Sequence, residues 1–489
     1  MYTSRSHFKR ANFDVNQTIC WKMLSEDQCE EIFVTAVELL ERSGAQVESE
    51  EARALFAAKG CWVEGDTVRI PSAKLEWAVR TAPSRITLCD RNGKRAVLME
   101  TENNHFAPYF GSEKILDRSS GEQRDITVND VVETARLSEK LSRVSLVSAP
   151  GKPSGVNKNS AGLHAFEALL SNSTKPILQP VGNAKEAEFV AEMAAAAVGS
   201  SDKLRQNPYV VFAIQCDEPR FHDQDALGAV MFAAKSGIPF VYLNKLVSGV
   251  TAPLNTAGTL VLALANSLVA LTLSQFVSAG APFISGGQFT VFDQKNAVAP
   301  FGAPEAGLIG AGFSNLMRHL RIPSAGVYGL SDSNFSDAQA GAEFTYGILT
   351  SALAGTNVIA GGGALESGRV ASAAVLAMGD EVLGNVHRIM RTFDMDEEHL
   401  ARGVIDEVGP GGNYLSESHT SFYFKSEQYW PTLINRKRID DWVDSGAKTM
   451  GTRALEYVEE LLSAPAVSKL DSAVAAQLKS ILAKADQTL

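Results

Sequence analysis

The residues of this chain best suited to chemistry are carboxylates, amides and rings that interrupt apolar runs. The densest group is Gly329-Leu-Ser-Asp-Ser-Asn-Phe-Ser-Asp-Ala-Gln-Ala-Gly-Ala-Glu343. Ser336 and Gln339 have capping-box spacing and Asp337 suits a first helical turn, so local structure explains those three. It does not explain Asp332 and Glu343, which are candidate site carboxylates. Glu305, in Gly302-Ala-Pro-Glu305, suits a helix start and a site equally well. His419 lies in the glycine-rich run 411–420, with Phe422, Tyr423, Phe424, Tyr429 and Trp430 close behind. Phe106-Ala-Pro-Tyr-Phe110 offers further aromatic surface. The 5 cysteines and 8 histidines form no CxxC, HxH or HExxH pattern, so neither a disulfide framework nor a protein metal site is expected.

These residues need elements to hold them. Short β-prone runs begin near Val144, Pro176, Pro208, Pro239, Ala281, Pro323 and Asn357. Helical patterns separate them at 161–171, 185–198, 222–235, 256–279, 304–320 and 337–354. Tandem strand–helix units imply a parallel sheet with right-handed crossovers. No G-x-G-x-x-G follows the first strand, and the number of units favours a (β/α)₈ TIM barrel, an α/β fold, over an open doubly wound sheet. The eighth strand is not identified: it is short, irregular, or inside 404–416. The barrel is assigned to 144–410, an N-terminal helical and antiparallel extension to 1–143, and a C-terminal helical cap to 411–489. Within the extension, 25–60 reads as helical and 61–126 as short alternating strands, and Thr127-Val-Asn-Asp130 has capping-box spacing. Helices are expected over Ala447–Leu462 and Val467–Ala485.

In such a barrel the strand C-termini build the site. Those positions are Gln179, Gln215, Asn244 and Lys245, Gly286-Gly-Gln288, Tyr328, and Ala360-Gly-Gly-Gly363. Small and polar residues there suit a ligand cavity, and they suit ordinary turns as well. Lys245, in charge-free surroundings, could form an imine if burial lowered its pKa, as in a Schiff-base lyase of aldolase type.

Composition narrows the partners. The 489 residues carry 45 basic and 56 acidic side chains, a net charge of −11 that disfavours nucleic acid and anionic membranes. Met1 to Val15 has basic residues without a following apolar run, so no signal peptide is expected, and sparse cysteine points to the cytoplasm. Thr259 to Phe276 is apolar enough to imitate a membrane span. Its thin stripe of Thr259, Asn266, Ser267, Ser274 and Gln275 argues instead for a helix inside a large core.

Five segments carry a family resemblance. SDSNFSDAQAGAE (331–343), GTNVIAGGG (355–363), GNYLSESHT (412–420), DDWVDSGAKTMGTRALE (440–456) and DRSSGEQRDITVND (117–130) together resemble the trimethylamine methyltransferase (MttB-like) family. The resemblance spans about residues 25 to 465. It implies a barrel enzyme that moves a methyl group from a methylated amine to the Co(I) corrinoid of a separate carrier protein, binding no cofactor itself. Archaeal members acting on trimethylamine contain pyrrolysine. The run after the sixth strand here has standard residues, Asn334 among them, so the chain is more similar to members that demethylate quaternary amines such as glycine betaine.

A quaternary ammonium is already charged, so losing methyl to a strong nucleophile needs neither general acid nor Lewis acid. The barrel must supply an anionic or aromatic enclosure, with cation–π contacts worth roughly 0.5–2 kcal/mol each, and must align one methyl with its mouth. The resemblance then implies Glu305, Asp332 and Glu343 as cation-facing carboxylates. Tyr109 and Tyr423 are cage rings, and His419 contacts the substrate or the corrinoid. Phe110, Gln179, Gln288, Tyr328, Gln339 and Gly361 complete the expected substrate-binding set. Glycine-betaine-type relatives are associated with a histidine at the end of the seventh strand. This chain has Ala360 to Gly363, whose glycines either open space, making a larger betaine such as proline betaine or carnitine plausible, or simply form a tight turn. A homo-oligomer is expected. The alternatives are the Lys245 lyase and a non-catalytic betaine-binding protein.

Overall fold

The computed structural model describes residues 20–100, 103–391, 393–465 and 470–489. Met1 to Val15 and the first residues of the helix expected from Val467 lie outside them. Seven strands form one parallel sheet: β1 (His105–Pro108), β2 (Ile177–Pro180), β3 (Val210–Cys216), β4 (Phe240–Ser248), β5 (Phe283–Val291), β6 (Ser324–Val327) and β7 (Val358–Gly362). The sheet runs from β2 through β3 to β7 in sequence order, and β7 then pairs in parallel with β1. The run 144–147 closes the ring by bridging Phe106 on one side and Ile177 on the other. The chain is therefore a (β/α)₈ barrel.

The stave unidentified in the sequence is β1. It lies within 1–143, the region assigned to the extension, and not within 404–416, where Arg402–Val408 is helical. Eight helices follow the staves: α1 (Val128–Lys140), α2 (Ala161–Asn172), α3 (Ala184–Val198), α4 (Gln224–Ser236), α5 (Thr256–Val277), α6 (Pro304–His319), α7 (Ala338–Leu353) and α8 (Ala373–Met390). Their caps are mostly local. Thr127 and Asp130 form the expected capping box on α1, whereas Asp337, not Ser336, caps α7 by accepting from the Ala340 N–H.

Strand alternation sorts the core into two layers. Val211, Ala213, Val241, Leu243, Ile284, Ala325, Val327, Val358 and Ala360 fill the barrel interior. Phe212, Ile214, Phe240, Tyr242 and Phe283 face the helices. An antiparallel hairpin, Ile86–Cys89 with Arg95–Met99, places Ile86, Leu88, Val97 and Met99 in the interior cluster and so forms the floor of the barrel. The Cys89 N–H fastens it to the Pro208 carbonyl, just before β3 begins.

Helix α5 is apolar on all sides because N-terminal helices Glu26–Arg42 and Ser72–Thr81 cover the face a barrel helix normally shows to water. It is long and apolar enough to cross a membrane, and it is buried in the core. Its polar stripe is satisfied internally: Ser267 Oγ accepts from Asn244 Nδ2 at 2.9 Å, and Asn266 Oδ1 accepts from the Arg220 N–H at 2.9 Å.

Candidate active site

A cavity of ≈ 430 Å³ opens where the stave ending near Ala149, β2 and β3 finish, at the C-terminal end of the barrel. Its wall carries Glu186, Asp217, Glu218 and Asp223 against one lysine, Lys152, with Phe110 and Phe221 as its rings. Asp223 is occupied in capping α4. Glu186 comes from the first turn of α3, and its Oε2 accepts from the Gly182 N–H at 2.8 Å. Burial pushes its carboxyl above the usual range, the Gly182 contact opposing that. A β-carbon at Gly162 would fall 2.3 Å from Glu186 Oε1, so only glycine on α2 leaves room for this carboxylate. Gln179, 2% exposed on β2, gives its amide hydrogens to the Pro180 carbonyl at 2.9 Å and leaves Oε1 without a partner.

A second group stands along the barrel axis. Tyr109 follows β1, stacks on Phe110 with centroids 5.6 Å apart, and has its hydroxyl beside the Gln288 side chain. Burial raises the Tyr109 hydroxyl pKa, Gln288 offsets part of this, and Asp217 and Glu113 add to it. Gln288 is in register with Lys245 on the neighbouring strand. Both continue the inward-facing series that Leu243 and Ile284 begin.

The rim beyond β5, β6 and β7 holds the third group. Asp332 Oδ2 accepts from the Gly302 N–H at 3.0 Å, and Oδ1 from Ser367 Oγ at 2.5 Å. Glu343 turns back from α7, and its Oε2 accepts from Ser331 Oγ at 2.6 Å and from the Asp332 N–H at 2.8 Å. Gln339 Nε2 donates to the other oxygen at 2.9 Å. Burial raises the Asp332 pKa, hydrogen bonds oppose it, and nearby Glu343 adds to it. Burial, together with Glu343, Asp332 and Glu305, pushes the Tyr346 hydroxyl up to about 12. The three carboxylates singled out in the sequence thus stand in one neighbourhood, although Glu305 is exposed. Phe301, adjoining Gly302, packs in the same interior cluster as Tyr109 and Phe110.

Comparison with known proteins bears directly on this barrel. The family model described as trimethylamine methyltransferase (MTTB) matches residues 3–489. The chain belongs to this family. It is 33% identical to the trimethylamine methyltransferase MttB of Desulfitobacterium hafniense, over 94% of this chain and 92% of that protein. It is 30% identical to a glycine betaine methyltransferase from another strain of that species, over 95% of this chain and 97% of the relative. The crystal structure of the Methanosarcina barkeri monomethylamine methyltransferase (MtmB) superimposes with a TM-score of 0.52 at 12% identity, covering 92% of this chain and 89% of that one, a likeness of fold. The protein is an amine methyltransferase.

Not every expected residue of this methyltransferase reaches the mouth. Tyr328 is a correction: it faces the helices, and a β-carbon at Gly326 or Gly310 would fall 1.8 or 2.5 Å from its ring. Its hydroxyl is buried without a hydrogen-bond partner. Gly361, with φ +120°, is a second correction. A β-carbon there would lie 2.7 Å from the Gly329 backbone, and those of Gly362 and Gly363 would meet Phe106 and Leu376. The three glycines let β7 pack closely and open no space. The His419 and Tyr423 rings lie 4.6 Å apart, tilted by 44°, on helix Ser418–Glu427. That helix is tethered through Glu427 to Arg388 and Arg391 at the end of α8. Helix α8 starts beside Gly363 at the mouth and runs toward the floor, so this pair is carried away from the site. Glu186, Asp217, Glu218 and Phe221 are the wall residues that sequence reading missed.

Proposed function

We propose that this methyltransferase takes a methyl group from a quaternary amine, glycine betaine or a related betaine, and passes it to the Co(I) corrinoid of a separate carrier protein. The observation that carries this reading is the cavity wall at the C-terminal end of the barrel, rich in carboxylates and rings. Such a wall attracts a methylated ammonium by charge and by cation–π contact. The corrinoid, a co-substrate held by its own protein, supplies the nucleophile. The C–N bond breaks with both electrons left on nitrogen, a neutral tertiary amine departs, and the methyl group joins cobalt.

The chain's own residues bind, orient and exclude water. In this reading Phe110 and Tyr109 cover the ammonium, while Asp217, Glu218 and Glu186 hold its charge. The rim carboxylates Glu305, Asp332 and Glu343 attract cations toward the opening. The work is mainly positioning. Free Co(I) cobalamin mixed with enzyme and a panel of betaines is expected to give the methylcobalamin absorbance with at least one of them. No spectral change across the panel, beside an active control methyltransferase, would remove the proposal.

A cytoplasmic location and a homo-oligomer complete it. Helices Arg402–Val408, Ser418–Glu427 and Ile439–Asp444 bury no residue within the chain. Phe393, Met395, Leu415, Phe422 and Ile439 are all more than 60% exposed there. An apolar surface of this kind is uncommon on a monomer and suits a second copy of the chain. Light scattering is expected to return at least twice the chain mass, and charged replacements at Leu415 and Phe422 to reduce it. A monomeric wild type would refute the assembly.

A further inference from the structure

Lys245 stands where a lyase would want an imine-forming lysine, yet its neighbours suit another task. It lies on β4 among inward-facing residues, half-buried, and among the described residues it has no hydrogen-bond or ion-pair partner. The inward positions flanking it on the adjacent strands are amides: Gln215 on β3, in register with Leu243, and Gln288 on β5, in register with Lys245 itself. Gln288 in turn stands beside the Tyr109 hydroxyl. An ammonium beside amide and phenol groups, with no ion-pair partner of its own, is a prearranged acceptor for an anion. Its nearest carboxylate along the register is Asp217, the residue after β3, which follows Cys216, the partner of Asn244.

The cationic half of a ligand has a different place. Phe110, stacked on Tyr109, lines the cavity together with Asp217, and Asp217 is near enough to act on the Tyr109 hydroxyl. The site is therefore dipolar, positive at Lys245 on β4 and negative at Asp217 just past the end of β3, with the two on neighbouring staves and Tyr109 close to both. We infer that Lys245 reads the carboxylate of a zwitterionic substrate and so selects amines bearing both a quaternary nitrogen and a carboxylate over cationic amines lacking one. This rests on the quaternary-amine reading above and assigns its specificity to one side chain. It acts by fixing the substrate, not by joining the reaction.

The test compares glycine betaine with its carboxamide, which keeps the cation and loses the anion. Wild type is expected to prefer the betaine in kcat/KM. In Lys245→Met that preference is expected to fall by about 10- to 100-fold, mostly through KM, which is what removing one charge-assisted contact takes away. Lys245→Arg, keeping the charge, should retain most of it, and a melting curve near wild type shows that the Met variant is folded. An unchanged preference in Lys245→Met would overturn the inference while leaving methyl transfer intact. Should wild type transfer methyl from no quaternary amine, the functional reading fails alone, and calorimetric binding of the same two ligands decides the role of Lys245. Equal loss of both ligands, or loss of neither, sinks it.

Discussion

Changing Gly361 to alanine is expected to destabilise the protein by about 2–6 kcal/mol, combining roughly 1–3 for a non-glycine residue at positive φ with roughly 1–3 for overpacking. The residue holds φ +120°, and the added carbon would come 2.7 Å from the Gly329 nitrogen and 2.8 Å from its carbonyl carbon. Both obstacles are backbone, which no rotamer change can move. Gly341→Ala is the contrasting case, in α7 with open space around the added carbon. Helix propensity favours alanine there by about 1 kcal/mol. Denaturant midpoints of the two variants should move in opposite directions. A Gly361→Ala midpoint within error of wild type would show that β6 and β7 can separate at little cost.

Phe110→Ala is expected to raise KM for a quaternary amine by about 3- to 30-fold with kcat changed far less, the consequence of losing a cation–π face worth ~0.5–2 kcal/mol. The ring lies on the cavity wall and also supports Tyr109 by stacking. Phe110→Leu separates the two effects, since leucine keeps apolar bulk and has no quadrupole. If leucine restores KM fully, the ring fills space and does not hold a cation.

The helices of the barrel were legible because their apolar faces repeat with helical period; α2 to α7 begin and end within about two residues of the expected bounds. Stave β1 was not. His105-Phe-Ala-Pro108 is four residues ending in proline, and what makes it a strand is its place between Phe106's partners Ile359 and Val144, which are remote in sequence. Tyr328 shows a different limit. It was placed at a strand end, but alternation puts Val327 inside, so the next residue must face outward. Glu186 was hidden by a good local explanation, since a carboxylate in a first helical turn complements the helix dipole. Asp217 and Glu218, just before a proline, read as an ordinary turn. The aromatic density around His419 drew attention to a segment that the direction of α8 carries elsewhere.

The hairpin floor has a consequence for the order of events. With Ile86, Leu88, Val97 and Met99 packed into the base of the barrel, that end is closed, and the cavity's doorway lies at the C-terminal end. On the proposed reaction, amine and corrinoid carrier must use it in turn. The amine goes in first, the carrier then stops the opening, and the demethylated product stays behind it until the carrier leaves. Such a vessel imposes a queue: excess carrier traps product and slows turnover, and an amine arriving late finds the entrance shut.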